Sequence, residues 1–292
     1  MNNDRVIVII GPTGVGKTKL SIELAKKLNG EIINADSMQV YKGLNIGTAK
    51  IKEEEKDGVI HHLFDIVDVN DMYTIYDYQK DCRRVIEDII KRGKTPILVG
   101  GSGLYIRAAL YDYDLKEENN LYDFSNYSNK ELYDKCKEID INCNIHENNR
   151  KRLERFLNKY LNNDSFNNNS KPLYNFILIG LTTEREKLYD IINKRVDLMI
   201  KDGLINEVKS FYDKNIRSKA IMTGIGYKEL YSFFDKEITL EEAVELIKKN
   251  SRHLAKRQYT FFNNQFDNIK WFNTNYDDFS KTILEVSNFI KR

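Results

Sequence analysis

The sequence predicts an α/β protein in which a parallel sheet flanked by helices carries a helical insertion domain. Short apolar runs alternate with stretches of helical period, which is typical of parallel strands joined by crossover helices. A complete phosphate-binding loop follows the first apolar run and precedes the first helical stretch. The chain has 292 residues, 41% of them hydrophobic, which is enough for one large domain with an insertion or for two modest domains.

Five apolar runs are predicted to be strands of the sheet. They cover residues 6–10, 31–35, 96–99, 176–181 and 269–272. Helical periodicity predicts the core helices at residues 17–28, 73–92, from about 102 onward, 184–201 and 240–262. Because parallel strands end at the same edge of a sheet, we expect the ligand crevice beyond their carboxyl ends.

The character of the sequence changes between residues 113 and 171. Asn and Tyr dominate, strand-like runs are absent, and helical period is found at residues 129–138 and 148–160. Residues 162–170 are polar and are predicted to form a loop. We therefore predict a core domain formed by residues 1–112 and 172–292, and a helical insertion domain formed by residues 113–171.

Composition and charge restrict the classes of protein. The 46 Lys and Arg residues nearly balance 44 Asp and Glu residues, so any nucleic-acid surface must come from local clusters and not from the net charge of +2. Three cysteines without a CxxC pair and four histidines argue against a disulfide framework and a zinc site. The first apolar run is too short for a signal peptide or a membrane span. We expect a cytoplasmic monomer with no membrane partner.

The most informative motif is the phosphate-binding loop. It matches GxxxxGK[ST] in full, through Gly11, Pro12, Thr13, Gly14, Val15, Gly16, Lys17 and Thr18. Glycines let the backbone point several N–H groups inward, and the helix N-terminus adds partial positive charge. Lys17 supplies a full cation for phosphate oxygens, and the Thr18 hydroxyl is placed to ligate Mg²⁺. The motif predicts a diphosphate or triphosphate ligand without specifying the reaction.

Two other strand ends carry polar residues. We expect the second strand to end in Asp36, whose carboxylate should face the phosphate-binding loop. That carboxylate could act as a general base, help to hold magnesium, or cap the next segment. After the strand at residues 96–99 comes a Gly-rich turn with Ser102, which is either a helix N-cap or a substrate contact. The residues themselves leave these alternatives open.

Several blocks, in matching order and spacing, make the chain resemble the tRNA dimethylallyltransferases, or tRNA isopentenyltransferases, of the bacterial type. The most specific are DSMQVYKGLNIGTAK at residues 36–50 and HHLFDI at residues 61–66. The phosphate-binding loop is shared with many NTPases and contributes less. Further matching blocks lie at residues 98–105, 145–149, 152–153, 224–229 and 254–258. The resemblance covers nearly the whole chain and implies a P-loop-kinase-like core with a helical insertion.

The resemblance also implies a reaction. The enzyme would transfer the dimethylallyl group of dimethylallyl diphosphate to N6 of the adenosine at position 37 of tRNA, beside the anticodon, with Mg²⁺ as cofactor. The loop would bind the donor's diphosphate, Asp36 would be the general base, and Ser102 would lie near the acceptor adenine. The residues implied to contact the tRNA anticodon stem-loop are Asp36, Ser37, Met38, Gln39, Ser102, Lys151, Arg152, Leu153, Glu154, Arg155, Thr223, Gly224, Tyr227, Lys228, Lys256, Arg257 and Gln258.

Two basic clusters gain meaning from this resemblance. One lies in the insertion at residues 150–155, and the other comprises Arg252, Lys256 and Arg257. Sequence reasoning by itself favours solvated helix faces for both, whereas the resemblance favours tRNA contacts. The chain departs from the family pattern twice. Residues 119–126 lack the Arg that commonly touches tRNA, and Ile191 stands where relatives often have an Arg.

Three other functions stay open. A small-molecule or nucleoside kinase would explain the loop but not the basic insertion. A prenyltransferase acting on free AMP, ADP or ATP would use the same donor. An RNA-binding regulator could use the loop as a switch, although it would need neither Asp36 nor Ser102. His61 and His62 would point to opposite faces of a strand, so we predict structural roles for them and no shared metal.

Overall fold

The computed structural model describes residues 5–112, 122–162 and 171–291. Two compact units can be separated, one formed by Met1–Tyr111 with Pro172–Arg292 and the other by Asp112–Lys171. We call them the core unit and the insertion unit. The segment 119–126 lies partly, and the predicted loop at 162–170 almost wholly, outside the described residues.

The described part of the core unit contains a sheet of six strands. They are β1 (Arg5–Ile10), β2 (Gly30–Asn34), β3 (His61–His62), β4 (Thr95–Gly100), β5 (Asn175–Thr182) and β6 (Lys270–Asn273). Their order is β3-β2-β4-β1-β5-β6, and each neighbouring pair is parallel. This arrangement confirms the predicted α/β class with a parallel sheet. Strand β3 has only two residues, too few to show a period in the sequence.

Helices surround this sheet. In the core unit they are α1 (Lys17–Leu28), α2 (Ile75–Lys91), α3 (Gly103–Leu110), α6 (Arg185–Lys201), α7 (Leu204–Tyr212), α8 (Lys219–Thr223), α9 (Tyr227–Phe234), α10 (Leu240–Gln265) and α11 (Phe279–Ile290), and the insertion unit contains α4 (Asn129–Ile139) and α5 (Arg150–Leu161). The long helix α10 begins with a capping box, in which Thr239 accepts from the Glu242 N–H and Glu242 accepts from the Thr239 N–H. Sequence periodicity did not predict α7, α8, α9 and α11 as separate helices, because a short helix contains few repeats of the helical pattern of apolar residues.

The central strand β1 shows why the sheet is covered on both faces. Val6, Val8 and Ile10 pack into one apolar cluster with α2 and α3, whereas Ile7 and Ile9 pack into a second cluster with α1 and α11. All five side chains are buried. A strand buried on both faces is expected for a parallel sheet between helical layers.

The carboxylate of Glu31 organises the amino-terminal edge of the sheet. Its side chain is 1% exposed and contacts the side chains of Arg92, Lys94 and His62, each with one distance of 2.7 Å. Arg92 contributes most to holding the pKa of Glu31 well below its usual range, followed by Lys94 and His62, and burial opposes them. His61 instead contacts the Val59 carbonyl through Nδ1 at 2.8 Å.

The insertion unit separates residue 111 from residue 172 along the chain, but these two residues of the core unit lie next to each other. Tyr111 and Pro172 form an antiparallel bridge, and the Leu173 N–H donates to the Leu110 carbonyl at 2.9 Å. The chain therefore leaves the core and returns to it at adjacent positions.

The insertion unit has its own small core. Helices α4 and α5 bury Leu132, Cys136, Leu153 and Leu157 together with Cys143. A capping box between Ser128 and Glu131 fixes the start of α4. No helix in the described ranges has the length and hydropathy needed to cross a membrane.

Candidate active site

The carboxyl ends of three neighbouring strands open into a cavity of about 1040 Å³ in the core unit. Strand β1 leads into the phosphate-binding loop, β2 into Asp36 and β4 into Ser102. All three features line this cavity, so the structure brings together the predicted diphosphate-binding and catalytic residues. The loop residues that line it are Thr13, Gly14, Gly16, Lys17 and Thr18, whereas Gly11, Pro12 and Val15 are buried behind them.

Two glycines are required by the path of the phosphate-binding loop. Gly11 has φ 141°, and a Cβ on it would lie 2.5 Å from the Leu181 carbonyl oxygen. Gly16 has φ 87° at the N-cap of α1, and a Cβ there would lie 2.5 Å from the Phe279 ring. Because any other residue would be both strained and crowded, the loop keeps the tight turn that starts α1 beside the cavity.

Lys17 is the cation of the loop. Its Nζ donates to the carbonyls of Gly11 at 2.9 Å and Pro12 at 2.7 Å. Burial, reinforced by the charge of Arg195, lowers the pKa of Lys17 to about 7, and the Asp36 carboxylate opposes this effect. The negative charge of a phosphate bound beside Lys17 would raise its pKa and favour the protonated form.

Arg195 on α6 is a second cation in this cavity that sequence reasoning did not identify. Its guanidinium donates to the Thr13 hydroxyl, which places it against the phosphate-binding loop. Burial lowers its pKa, whereas Asp36 raises it. A single Arg on an amphipathic helix carries no distinctive local pattern. Its position becomes visible only when α6 packs beside a loop 182 residues earlier in the chain.

Asp36 lies beyond the end of its strand. The prediction that β2 ends at Asp36 is wrong, since the strand ends at Asn34. The Asn34 side chain holds the backbone after the strand, because its Oδ1 accepts from the Asp36 N–H at 2.9 Å and its Nδ2 donates to the Asp36 carbonyl at 3.1 Å. Asp36 Oδ1 accepts from the Met38 N–H at 2.9 Å. Its Oδ2 makes no hydrogen bond to any residue that the structure describes.

Ser102 occupies the N-cap position of α3, but its side chain does not cap the helix. Its Oγ accepts from the Ser37 N–H at 3.0 Å and donates to Ser37 Oγ at 3.2 Å. The Ser102 N–H donates to the Ala35 carbonyl at 3.1 Å. The N-cap alternative is therefore wrong for the hydroxyl, which instead ties the turn after β4 to the residue that follows Asp36.

Residues from the last part of the chain brace the phosphate-binding loop. The Tyr276 hydroxyl donates to the Gly14 carbonyl at 3.2 Å, and the Thr274 hydroxyl donates to the Val15 carbonyl at 2.9 Å. Ile191, which replaces an Arg common among relatives, packs within 3.1 Å of the Cβ position of Gly14. Two carbonyls and one glycine of the loop are thus in contact with residues far along the chain.

The segment after Asp36 is held by an acidic side chain of α7. Glu207 accepts from the backbone N–H groups of Asn45, Ile46 and Gly47 at 3.1, 2.8 and 3.1 Å. It also accepts from the hydroxyl of Tyr227 at 2.6 Å. Tyr227 lines the cavity but is fully buried, which favours a structural role over the predicted tRNA contact.

Other residues predicted to contact tRNA differ in accessibility. All of Ser37, Met38, Gln39, Gly224 and Lys228 line the cavity; Gly224 is buried against Met38, and the other four are half-buried. Thr223 and the α10 residues Lys256 and Arg257 are exposed, and Thr223 and Arg257 also line the cavity. Accessible cations beside a site are suited to phosphate contacts.

The basic cluster of the insertion unit is only partly a surface feature. Lys151, Arg152 and Arg155 are exposed on α5. Arg150 has a structural role, since it donates to two backbone carbonyls and pairs with Glu154 at 2.7 Å. Leu153 is fully buried, so it belongs to the core of the unit and not to a surface that RNA could reach.

A family model described as IPP transferase matches residues 39–265. The chain belongs to the IPP transferase family. The tRNA dimethylallyltransferase of Anoxybacillus flavithermus is 48% identical over 301 residues, which cover 99% of this chain and 96% of the relative. The enzyme of the same name from Bacillus subtilis is 48% identical over 290 residues, 93% of this chain and 92% of the relative. The resemblance drawn from the sequence is confirmed.

Solved structures of IPP transferases share the fold. The tRNA isopentenylpyrophosphate transferase of Bacillus halodurans has a TM-score of 0.79 at 44% identity, covering 99% of this chain and 96% of that one. A eukaryotic dimethylallyltransferase acting on tRNA has a TM-score of 0.84 at 29% identity, covering 99% of this chain and 80% of that one. The chain thus has the fold of a family of prenyl-transferring enzymes.

Proposed function

We propose that this IPP transferase moves the dimethylallyl group from dimethylallyl diphosphate to N6 of the adenosine at position 37 of tRNA, giving N6-isopentenyladenosine and diphosphate. The observation that carries the proposal is that the phosphate-binding loop, Asp36 and Ser102 line one cavity. A phosphate cradle accounts for a diphosphate donor, and a carboxylate beside it accounts for an acceptor that must lose a proton. Family membership supports both.

The donor end of the cavity suits a departing diphosphate. As the C–O bond of the donor breaks, its electrons remain on the diphosphate oxygens, where negative charge builds up. Backbone N–H groups of the loop, Lys17 and Arg195, all from residues that line this cavity, would stabilise that charge. Because these groups are held in place before the reaction, they need little reorganisation as the charge develops.

Mg²⁺ fits the same end of the cavity. Thr18, which bears a hydroxyl, lines the cavity there, and Mg²⁺ prefers oxygen ligands, often together with substrate phosphates. No cluster of three or more His, Cys, Asp or Glu side chains that could cage a metal occurs in the described ranges. We propose Thr18 as the metal ligand, and the bound cation would neutralise charge on the diphosphate.

At the acceptor end, Asp36 is proposed as the general base. The exocyclic amine of adenine is a weak nucleophile because its lone pair is delocalised into the ring. As the new N6–C bond forms, one N6 proton passes to the carboxylate, which raises the rate of attack. The free Asp36 Oδ2 is available for this step, while Oδ1 keeps its hydrogen bond to the Met38 N–H.

The tRNA must deliver an adenine from its anticodon loop into the cavity, which requires that the base be unstacked. We propose that accessible residues hold the RNA backbone, with Ser37, Gln39, Thr223, Lys228, Lys256 and Arg257 in the core unit and Lys151, Arg152 and Arg155 in the insertion unit. A monomeric, cytoplasmic enzyme stays part of this proposal.

Mass measurement of an anticodon stem-loop after incubation with the enzyme, dimethylallyl diphosphate and Mg²⁺ tests the function. We expect the gain of one five-carbon unit, and no gain when guanosine replaces the acceptor adenosine. Prenylation of free AMP, ADP or ATP with an unmodified stem-loop would contradict the proposal in favour of a nucleotide prenyltransferase. Phosphate transfer from ATP without prenylation would favour a kinase, and stem-loop binding without either reaction would favour an RNA-binding regulator.

A further inference from the structure

The side-chain amide of Gln258 joins two loops of the cavity. Its Oε1 accepts from the Thr13 N–H at 3.2 Å, and its Nε2 donates to the Gly101 carbonyl at 3.2 Å. Both ends of the amide are therefore matched to the backbone groups they face. Gln258 lies on α10, 245 residues after Thr13 and 157 after Gly101.

The space for this bridge exists only because residue 101 is a glycine. A Cβ at Gly101 would lie 2.1 Å from Gln258 Nε2, which is far inside van der Waals contact. The neighbouring Ser102 holds the turn after β2, because its hydroxyl accepts from the Ser37 N–H. A continuous chain of hydrogen-bonded and covalent links thus runs from Thr13 in the phosphate-binding loop to the residue after Asp36.

We propose that Gln258 is a positioning residue that sets the distance between the donor-binding loop and the acceptor turn, and that it is not a tRNA contact. This inference rests on the proposed prenyl transfer. It replaces the role that the family resemblance implied for Gln258. The side chain is half-buried, and both ends of its amide already have protein partners.

Such a bridge matters because the reaction is a displacement between two separately bound substrates. The carbon under attack is held through its diphosphate on one loop, and the attacking N6 lies beside Asp36 on another. A misplacement of about 1 Å between reacting groups can lower a rate by about a hundredfold. A group that fixes the two loops relative to each other affects the rate of transfer and leaves the affinity for either substrate largely unaltered.

The test replaces the amide by an aliphatic group of similar shape. Gln258→Met removes both hydrogen bonds, and Asn264→Leu removes an exposed amide of the same helix as the matched control. For Gln258→Met we expect the single-turnover rate of stem-loop prenylation to fall about tenfold to a hundredfold, in line with the cost of misplaced reacting groups. The Kd for dimethylallyl diphosphate, the tRNA KM and its salt dependence should match those of the wild type. Asn264→Leu should behave as the wild type in all four.

A second experiment perturbs the hydrogen bonds of Gln258 by a change at Gly101. Gly101→Ala should lower the rate in the wild type, because its Cβ displaces the Gln258 amide. In a Gln258→Ala background that clash is relieved, so Gly101→Ala should lower the rate by a much smaller factor. If Gly101→Ala lowers the rate by the same factor in the wild type and in the Gln258→Ala background, the proposal is overturned.

Other outcomes also decide the question. A raised tRNA KM with an unchanged rate in Gln258→Met would show a tRNA contact, and an unchanged rate would show that the bridge is dispensable. If Gln258→Met does not fold, Gln258→Ala, which also removes both hydrogen bonds and adds no charge, carries the same expectations. Failure of the wild type to prenylate the stem-loop would instead refute the proposed function.

Discussion

The hydroxyl of Tyr227 donates a hydrogen bond of 2.6 Å to Glu207, and the same carboxylate holds the backbone N–H groups of residues 45–47. The Tyr227 ring also fills the space above Gly47, where a Cβ would lie 2.6 Å away. Burial, the largest cause, and Glu207 raise the pKa of Tyr227, so the hydroxyl stays protonated and remains a donor. This pair therefore fixes the segment that follows Asp36.

Tyr227→Phe should destabilise the fold without weakening tRNA binding. A hydrogen bond to a charged group contributes about 2 kcal/mol, so the free energy of unfolding in urea should fall by about that amount. Tyr212→Phe is the matched control, because it removes a hydroxyl bonded to Asp235 in an exposed setting and should cost less. A rise in tRNA KM with unchanged stability would restore the tRNA contact predicted from the sequence.

Donor binding should depend on the protonation of Lys17. Because burial and Arg195 lower its pKa to about 7 in the free enzyme, the side chain loses its proton as the pH rises above that value. Dimethylallyl diphosphate binds the protonated form, so its Kd should rise by up to about tenfold per pH unit above pH 7. Isothermal titration calorimetry from pH 6.5 to 9 measures this.

The control for Lys17 is Lys17→Arg, which keeps its charge throughout this range. Its Kd for the donor should be nearly independent of pH, even if it is weaker overall. Lys17→Ala should bind the donor weakly at every pH and slow the transfer, since the charge that follows the leaving diphosphate is lost. Wild-type binding that is flat up to pH 9 would show that the pKa of Lys17 is not lowered in the free enzyme, and wild-type donor affinity in Lys17→Ala would remove Lys17 from the diphosphate site.

Asp36→Asn should retain the fold and lose the reaction. Asn can still accept from the Met38 N–H but cannot take a proton from N6. The single-turnover rate at saturating substrates should fall by about a hundredfold or more, the usual size of a general-base contribution. The exposed Asp68→Asn is the control and should react at the wild-type rate. Recovery of the Asp36→Asn rate with added Mg²⁺ would assign the carboxylate to the metal instead.

Charge reversal at Lys151, Arg152 and Arg155 should weaken tRNA binding. Replacement by Glu removes phosphate contacts, so the tRNA KM should rise and its dependence on salt concentration should flatten, with donor affinity unchanged. The same charge change on α4 of this unit, at Lys130, Lys135 and Lys137, is the control. Circular dichroism would confirm that both variants are folded. Equal effects of the two variants would show a general electrostatic influence and no defined RNA surface.

Glu31 should contribute to stability in a pH-dependent way. Its pKa is depressed in the folded state, so its stabilisation is present above the ordinary value of 4.5 and is lost as the pH falls toward the folded value. Glu31→Gln should cost about 3 kcal/mol at pH 7, the lower end for a broken buried pair, because Arg92 and Lys94 are partly solvated. Urea unfolding at pH 7 and pH 3 should show a smaller difference in stability between the variant and the wild type at pH 3 than at pH 7.

Local signals in the sequence account for most of the fold but only part of the site. Helix α1 was predicted to the residue, because the strand before it, the Gly-rich turn and the helix each have their own local pattern. Arg195, Tyr276 and the bridging contacts of Gln258 have no such pattern. They reach the loop across 182, 262 and 245 residues of chain, so only the packing of α6, α10 and the segment before α11 reveals them.

Ser102 shows a different limit. A serine before a helix is most often a cap, and the sequence places it at the correct position for one. The hydroxyl turns away because the backbone of the turn after β2 passes within reach and offers the Ser37 N–H. That approach is permitted by Gly100, where a Cβ would lie 2.1 Å from the Ala35 carbonyl oxygen. Competition between two partners of this kind cannot be read from one segment of sequence.

The antiparallel bridge between Tyr111 and Pro172 gives the architecture a modular character. The polypeptide leaves and re-enters the core unit at neighbouring points, so the two ends of the intervening segment are already close together. A change in the length of that segment therefore does not change the distance that it has to bridge. Lengthening, shortening or exchanging that segment would leave the register of β1 with β5 unchanged. The insertion unit can therefore differ in length and sequence while the sheet and the cavity at its carboxyl edge stay as they are.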